Sequence, residues 1–104
     1  MRRYTASVLA IRSFENDDVQ AFFESGRIGA RVRWRQIGSI VLRKLDMLDY
    51  AADLRDLRSP PGNRLEALKG TWIGFYSIRV NDQWRIIFRW TEHGPEEVDV
   101  VDYH

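Results

Sequence analysis

The stretch Phe75-Tyr76-Ser77-Ile78-Arg79-Val80-Asn81-Asp82-Gln83-Trp84-Arg85-Ile86-Ile87-Phe88-Arg89-Trp90 decides the fold. Two runs dense in aromatic and β-branched residues, Phe75 to Val80 and Trp84 to Trp90, flank an Asn81-Asp82 turn signal, which is the pattern of a β-hairpin. Strand side chains alternate between faces, so the loop length sets which residues share a face. A two-residue loop would put Ser77 and Arg79 beside Trp84, Ile86 and Phe88, and neither face would be apolar. A three-residue loop, Asn81-Asp82-Gln83, collects Tyr76, Ile78, Val80, Trp84, Ile86, Phe88 and Trp90 on one face. Ser77, Arg79, Arg85 and Arg89 then share the other. The second register is the expected one because it yields a core side, although Gln83 stands where three-residue loops usually carry Gly or Asn. The arginine side is either a solvated face or a surface for anions.

Downstream, after a turn at Glu92 to Pro95, the run Glu97 to Tyr103 alternates as a third strand. Val98 and Val100 belong to the core side, and Asp99, Val101 and Tyr103 to the arginine side, with His104 just past the strand end. Upstream, Arg64 to Leu68 is expected to enter the sheet, with Lys69-Gly70 at its end. Ser59-Pro60-Pro61-Gly62-Asn63 stops whatever helix precedes it, since proline lacks a donor and restrains its neighbour. Asn16 reads as an N-cap, Asp17 and Asp18 suit the first turn of a helix, and Val19, Phe22 and Phe23 share a face that ends at Gly26. From about Arg35, Ile37, Val41, Leu45, Leu48 and Ala52 recur at helical spacing, with Arg43, Asp46 and Asp49 facing away. Leu54 and Leu57 suggest one more helical turn. Gly29 to Arg35 is a connection, and Ala10 to Phe14 a short first strand. The order helix, helix, meander predicts an α+β layer: two N-terminal helices packed on one face of a small, mostly antiparallel sheet.

The length of 104 residues suits one domain with its own core. Residues 1–9 lack periodicity and are expected to be a loosely ordered extension of a single domain spanning 10–104. With no cysteine there is no disulfide framework and no Cys-ligated zinc. No apolar run approaches the ~18 residues of a membrane span, and the N-terminal apolar stretch is too short for a secretory signal. A cytoplasmic protein is expected. The net charge of +1 conceals segregation. Arg27, Arg31, Arg33, Arg35, Arg43 and Lys44 lie in a stretch without an acid, whereas Glu92, Glu96, Glu97, Asp99 and Asp102 lie in one without Lys or Arg. The basic run is either a solvated helix face or a surface for phosphate or an acidic partner. There is no Gly-rich phosphate loop, hence no support for nucleotide hydrolysis.

The runs Arg64-Leu65-Glu66-Ala67-Leu68-Lys69-Gly70, Tyr76-Ser77-Ile78-Arg79 and Asn81-Asp82-Gln83-Trp84-Arg85-Ile86, with the closing Asp102-Tyr103-His104, resemble the HigB toxins of the RelE superfamily. The likeness covers roughly Ala10 to the C-terminus. It implies the toxin of a type II toxin–antitoxin pair, a ribosome-dependent endoribonuclease acting on mRNA, with a helix-turn-helix (HigA-like) antitoxin as partner and no cofactor. By resemblance Lys69 and Arg85 line the active site, and Asp102, Tyr103 and His104 match the catalytic triplet. Glu66 stands where some members have histidine; a carboxylate can replace it as base but not as a neutral or cationic partner of phosphate, which leaves the division of acid and base roles open. ParE-like toxins, which inhibit a topoisomerase by contact, share this fold and need no catalytic histidine; a plain RNA-binding regulator is a further alternative.

RNA can be cut without a metal when its own 2′-hydroxyl attacks the neighbouring phosphate. That reaction needs a base, cations for the crowded phosphorane and an acid for the leaving 5′-oxygen. Histidine is the side chain suited to exchange protons near neutrality. Of the two histidines, His93 sits in a turn and reads as solvated, whereas His104 follows Tyr103. Lys69, Arg79, Arg85 and Arg89 are the cation candidates, with pairing to Asp99 or Asp82 as the structural alternative. Arg64, Arg79, Arg89 and Trp72 are the RNA-binding candidates; Trp72 either stacks on a base or covers the core edge.

Overall fold

The computed structural model describes residues 10–103. The expectations for residues 1–9 and for His104 lie outside them. Helix α1 spans Asp17–Ser25, α2 Gly38–Tyr50, and four strands follow: β1 Glu66–Ala67, β2 Phe75–Arg79, β3 Trp84–Thr91 and β4 Gly94–Asp102. The strands form one sheet in the order β1-β2-β3-β4, each pair antiparallel. This is the expected α+β arrangement.

Local chemistry accounts for both ends of α1. The Asn16 side chain accepts hydrogen bonds from the N–H groups of Asp18 and Val19, and Gly26 takes the left-handed conformation (φ 78°) and donates its N–H to the Phe22 carbonyl. The central hairpin has the three-residue loop. Ile78 pairs with Ile86 and Arg79 with Arg85, and the N–H groups of Val80 and Asn81 reach the Trp84 carbonyl at 2.9 and 3.2 Å. The missing glycine is compensated by Asn81, whose side-chain oxygen accepts from the N–H groups of Gln83 (2.9 Å) and Trp84 (2.8 Å).

The register turns Ile78, Val80, Trp84, Ile86 and Phe88 into a core completed by Val19 and Phe22 of α1, Val41, Leu45 and Leu48 of α2, and Val98 and Val100 of β4. Burial of each large side chain contributes roughly 1.5–3 kcal/mol. Trp34, in the basic connection, packs its ring 5.3 Å from Phe22 and is buried as well.

Several expectations need correction. Asp49 does not face solvent: it is buried and accepts the Ile11 backbone N–H at 3.0 Å, tying the N-terminal segment to α2. The stripe of α2 closes on Ala51 rather than on exposed Ala52. Lys44, read as part of the basic surface, is buried and donates to Asn63, whose amide donates in turn to the Leu57 and Ser59 carbonyls. Ala10 to Phe14 makes a single parallel bridge, Phe14 to Val98, beside β4. The second hairpin loop is only Glu92-His93, since Thr91 pairs with Gly94 and Trp90 with Pro95. Between Ile87 and Arg89 the register shifts, with Glu97 at φ 54° as the extra residue of a bulge. The bulge changes the parity of β4, so Pro95 before it and Val98 and Val100 after it are all buried.

Candidate functional site

The face of the sheet away from the helices carries the site. In register across it lie Ser77 opposite Ile87, Arg79 opposite Arg85, Arg85 opposite Val101 and Ile87 opposite Asp99. Glu66 on β1 pairs with Ser77 and so belongs to the same face.

Arg85 is the centre of this face, but it is not a free cation. It is only 8% exposed. Its Nε donates to Ser77 Oγ at 2.9 Å and its Nη2 to the Arg64 carbonyl at 2.6 Å. The ring of Tyr103 lies 5.1 Å over its guanidinium carbon. Tyr103 leaves the end of β4, crosses this face and donates its phenol to Glu66 Oε1 at 2.8 Å. That hydrogen bond, followed by partial burial and the Glu66 charge, pushes the phenol pKa up, with Arg85 opposing. Near neutrality Tyr103 is therefore a proton donor, and Glu66 is occupied as its acceptor.

Asp102 pairs with Trp84 on β3, on the helix side, and its carboxylate accepts from Arg33 (2.9 Å) and Gln83 (3.0 Å). Arg33 in turn stacks 5.1 Å over the Trp84 ring, which docks the basic connection on the end of the sheet. Lys69 and Trp72 bracket a short 3-10 turn after β1. Together with Leu68, Ile87, Asp99, Val101, Asp102 and Tyr103 they line an open cleft of about 430 Å³.

The cleft thus brings together Lys69, Asp102, Tyr103 and Trp72, with Arg85 and Glu66 tied in through Tyr103. Among the described residues, the remaining candidates lie apart from it. Arg79 is engaged by Asp82 at 2.6 Å. Arg89 is engaged by Glu97 at 3.1 Å and stacks on Phe75 at the far end of the face. Arg64 is an exposed left-handed residue (φ 45°) whose carbonyl, not its charge, meets Arg85. His93 is an exposed turn residue 3.8 Å from Glu92.

The residue sequence reading missed is Asp99. Strand parity placed it on this face, but only packing makes it half-buried against Ile87 and Trp72. Desolvation pushes its carboxyl pKa up, Glu15 adding to the effect, against a hydrogen bond from Val100 N–H.

Two helices over a four-stranded antiparallel sheet, with a cleft at the end of the last strand, define a RelE-like toxin fold. It is shared with the YoeB dimer from Staphylococcus aureus, at TM-score 0.54 and 17% identity over 94% of this chain and 99% of that one. The YoeB-YefM complex from the same organism gives TM-score 0.53 with the same identity and coverage. Over residues 12–104 the chain matches the RelE-like toxin of type II toxin-antitoxin system HigB, and it belongs to that HigB-like toxin family. It is 42% identical over 79 residues to Toxin HigB-1 of Vibrio cholerae serotype O1, covering 76% of this chain and 82% of that protein. An uncharacterized protein of Haemophilus influenzae is 36% identical over 77 residues, 74% of this chain and 75% of its own length. Among the described residues no helix is long and apolar enough to cross a membrane.

Proposed function

We propose that this toxin is an endoribonuclease that cuts mRNA on the ribosome by attack of the RNA 2′-hydroxyl on its own phosphate, and that a helix-turn-helix antitoxin neutralises it in the cytoplasm. The observation that carries the reading is the cleft itself. Lys69 and Tyr103 line it together, and the Tyr103 ring lies over a guanidinium held by Ser77 and the Arg64 carbonyl. An ammonium and a phenol that stays protonated suit the stabilisation of a phosphorane and the supply of a proton to a leaving oxygen. His104, adjoining Tyr103, is assigned the complementary proton transfer, and Asp102, held by Arg33 and Gln83, the positioning of that terminus. The antitoxin is proposed from the family and from the YoeB-YefM complex of similar fold.

A ParE-like toxin that acts by contact is the alternative, and the shielding of Arg85 favours it. A phosphate reaches that guanidinium only if Tyr103 moves aside. Expression with and without the neighbouring gene, followed by mapping of mRNA ends, separates the two. The endoribonuclease produces new ends within translated messages, and deletion of His104 or His104→Gln lowers their yield at least ~100-fold, the scale of a lost acid or base, without lowering thermal stability. Growth arrest with no new mRNA ends would instead establish the contact toxin.

A further inference from the structure

The cleft does not end at Tyr103. Trp72, Ile87 and Asp99 also line an adjoining cleft of about 260 Å³, whose other walls are Phe75, Glu15 and Glu97. Lys69 lines only the first part, with Asp102, which Arg33 and Gln83 engage; Glu15 and Glu97 line only the second, and Asp99 lines both. Among the described residues Lys69 is the cationic side chain lining the groove, so a phosphate is drawn to its end. The shared middle has the features of a site for a flat heterocycle. Trp72 is 49% exposed, and its indole is braced edge-on against Phe75 at 5.2 Å and 89°. Ile87 supplies an apolar floor.

Asp99 stands apart from the other carboxylates of the groove. Glu66 is taken by Tyr103, Asp102 by Arg33 and Gln83, and Glu97 by Arg89. Among the described residues Asp99 has no cationic partner, and its hydrogen bond is the one Oδ1 accepts from Val100 N–H at 2.8 Å. A desolvated carboxylate that is not paired with a cation calls for N–H donors. Of the four RNA bases, guanine alone presents two adjacent donors, N1–H and N2–H, on its Watson–Crick edge. Adenine, cytosine and uracil each pair a donor with an acceptor, which an ionised carboxylate repels.

We propose that Trp72, Ile87 and Asp99 form a nucleobase slot that selects guanine beside the phosphate held at the Lys69 end, with Trp72 stacking on the base and Asp99 reading its edge. The slot deepens the endoribonuclease reading and rests on it for the identity of the ligand as RNA. Asp99→Asn is nearly isosteric and replaces two acceptors by one acceptor and one donor, a pattern that fits adenine.

Two measurements test the slot. In reconstituted translation, wild-type toxin is expected to cut next to guanine, and Asp99→Asn to lower the guanine-to-adenine ratio at mapped ends about 10-fold or more, the scale of one bidentate base contact. Trp72→Ala is expected to weaken all sites together without moving the ratio, with Trp72→Phe restoring most of the loss. The second measurement needs no cleavage. Nuclear magnetic resonance of the full chain titrated with guanosine 3′-monophosphate is expected to shift the Trp72 indole N–H and the Asp99 amide at lower concentration than adenosine 3′-monophosphate does, and Asp99→Asn to reverse that order. Shifts confined to Lys69 and its neighbours, or a site preference unchanged in Asp99→Asn, overturn the slot while leaving RNA cleavage standing. Guanine-selective shifts from a protein that releases no mRNA ends support the slot and overturn the cleavage reading.

Discussion

At the scale of single residues, Arg85 shows how one side chain can be bound by structure and chemistry together. Its guanidinium bonds Ser77 and a carbonyl in a nearly water-free setting, and hydrogen bonds to charged groups contribute roughly 1.5–3 kcal/mol each. Arg85→Ala is therefore expected to cost about 2–4 kcal/mol of stability, read as a lower urea midpoint at unchanged slope. A stability within 0.5 kcal/mol of wild type, an approximate threshold for an ordinary surface change, would show that those bonds contribute little. Loss of activity in Arg85→Ala alone would not identify a catalytic role, whereas loss in a His104 variant would. Tyr103 offers a cleaner reading through pH. Its folded pKa is raised above the unfolded value of about 10, so the link to Glu66 is fully present below that value and is lost as pH rises through the folded pKa. Glu66→Gln is expected to bring the Tyr103 phenol back down. Ultraviolet titration, with Tyr103→Phe as the subtraction, checks this; an unchanged titration would show that Glu66 is not the cause.

At the scale of elements, the edge beside β4 depends on one glycine. Gly94 has φ 112°, and a Cβ there would lie 2.6 Å from the Ala10 carbonyl oxygen, a backbone atom with little freedom to retreat. The contact matters because the segment from Ala10 bonds β4 through Arg12 N–H to the Pro95 carbonyl and Glu15 N–H to the Val98 carbonyl, and so covers an edge that would otherwise invite pairing. Gly94→Ala is expected to destabilise by about 1–3 kcal/mol and to raise amide exchange at Arg12, Glu15 and Val98. Protection at those three amides equal to wild type would sink the idea. The short first strand expected at Ala10 to Phe14 lies beside β4 but makes too few backbone pairings to qualify, because Pro95 lacks a donor and the bulge at Glu97 breaks the ladder.

At the scale of the whole molecule, charge is sorted by fold rather than by chain position. Of the basic run, Lys44 is buried and Arg33 is committed to Asp102, whereas Arg27, Arg31, Arg35 and Arg43 remain exposed. If the proposed antitoxin docks there, opposite charge steers encounter more than it adds affinity. Arg27, Arg31 and Arg35 changed together to Glu are expected to lower the association rate about 10-fold at low salt, the lower end of electrostatic steering, with little change in dissociation. Stopped-flow mixing at two ionic strengths measures it. A rate insensitive to both salt and charge reversal would place the antitoxin elsewhere.

What the chain by itself determined is the part governed by local periodicity. The Asn81 to Gln83 loop, the two faces of the hairpin, the Asn16 and Gly26 caps and the side of the sheet on which Asp99, Val101 and Tyr103 lie all follow from alternation and backbone hydrogen bonding between near neighbours. The family itself was legible in its short motifs. What only the tertiary structure decided is which polar groups lose water and which find one another. Asp49 is buried because Ile11, far away in sequence, needs an acceptor; Lys44 because Asn63 bridges it to two carbonyls; and Arg85 because Tyr103 crosses from the chain end to Glu66. Asp99 differs from Asp102 for the same reason. Two acids on one strand point to opposite faces, one meets an arginine and the other an indole and an isoleucine, and desolvation and pairing depend on atoms that pattern along the chain cannot place.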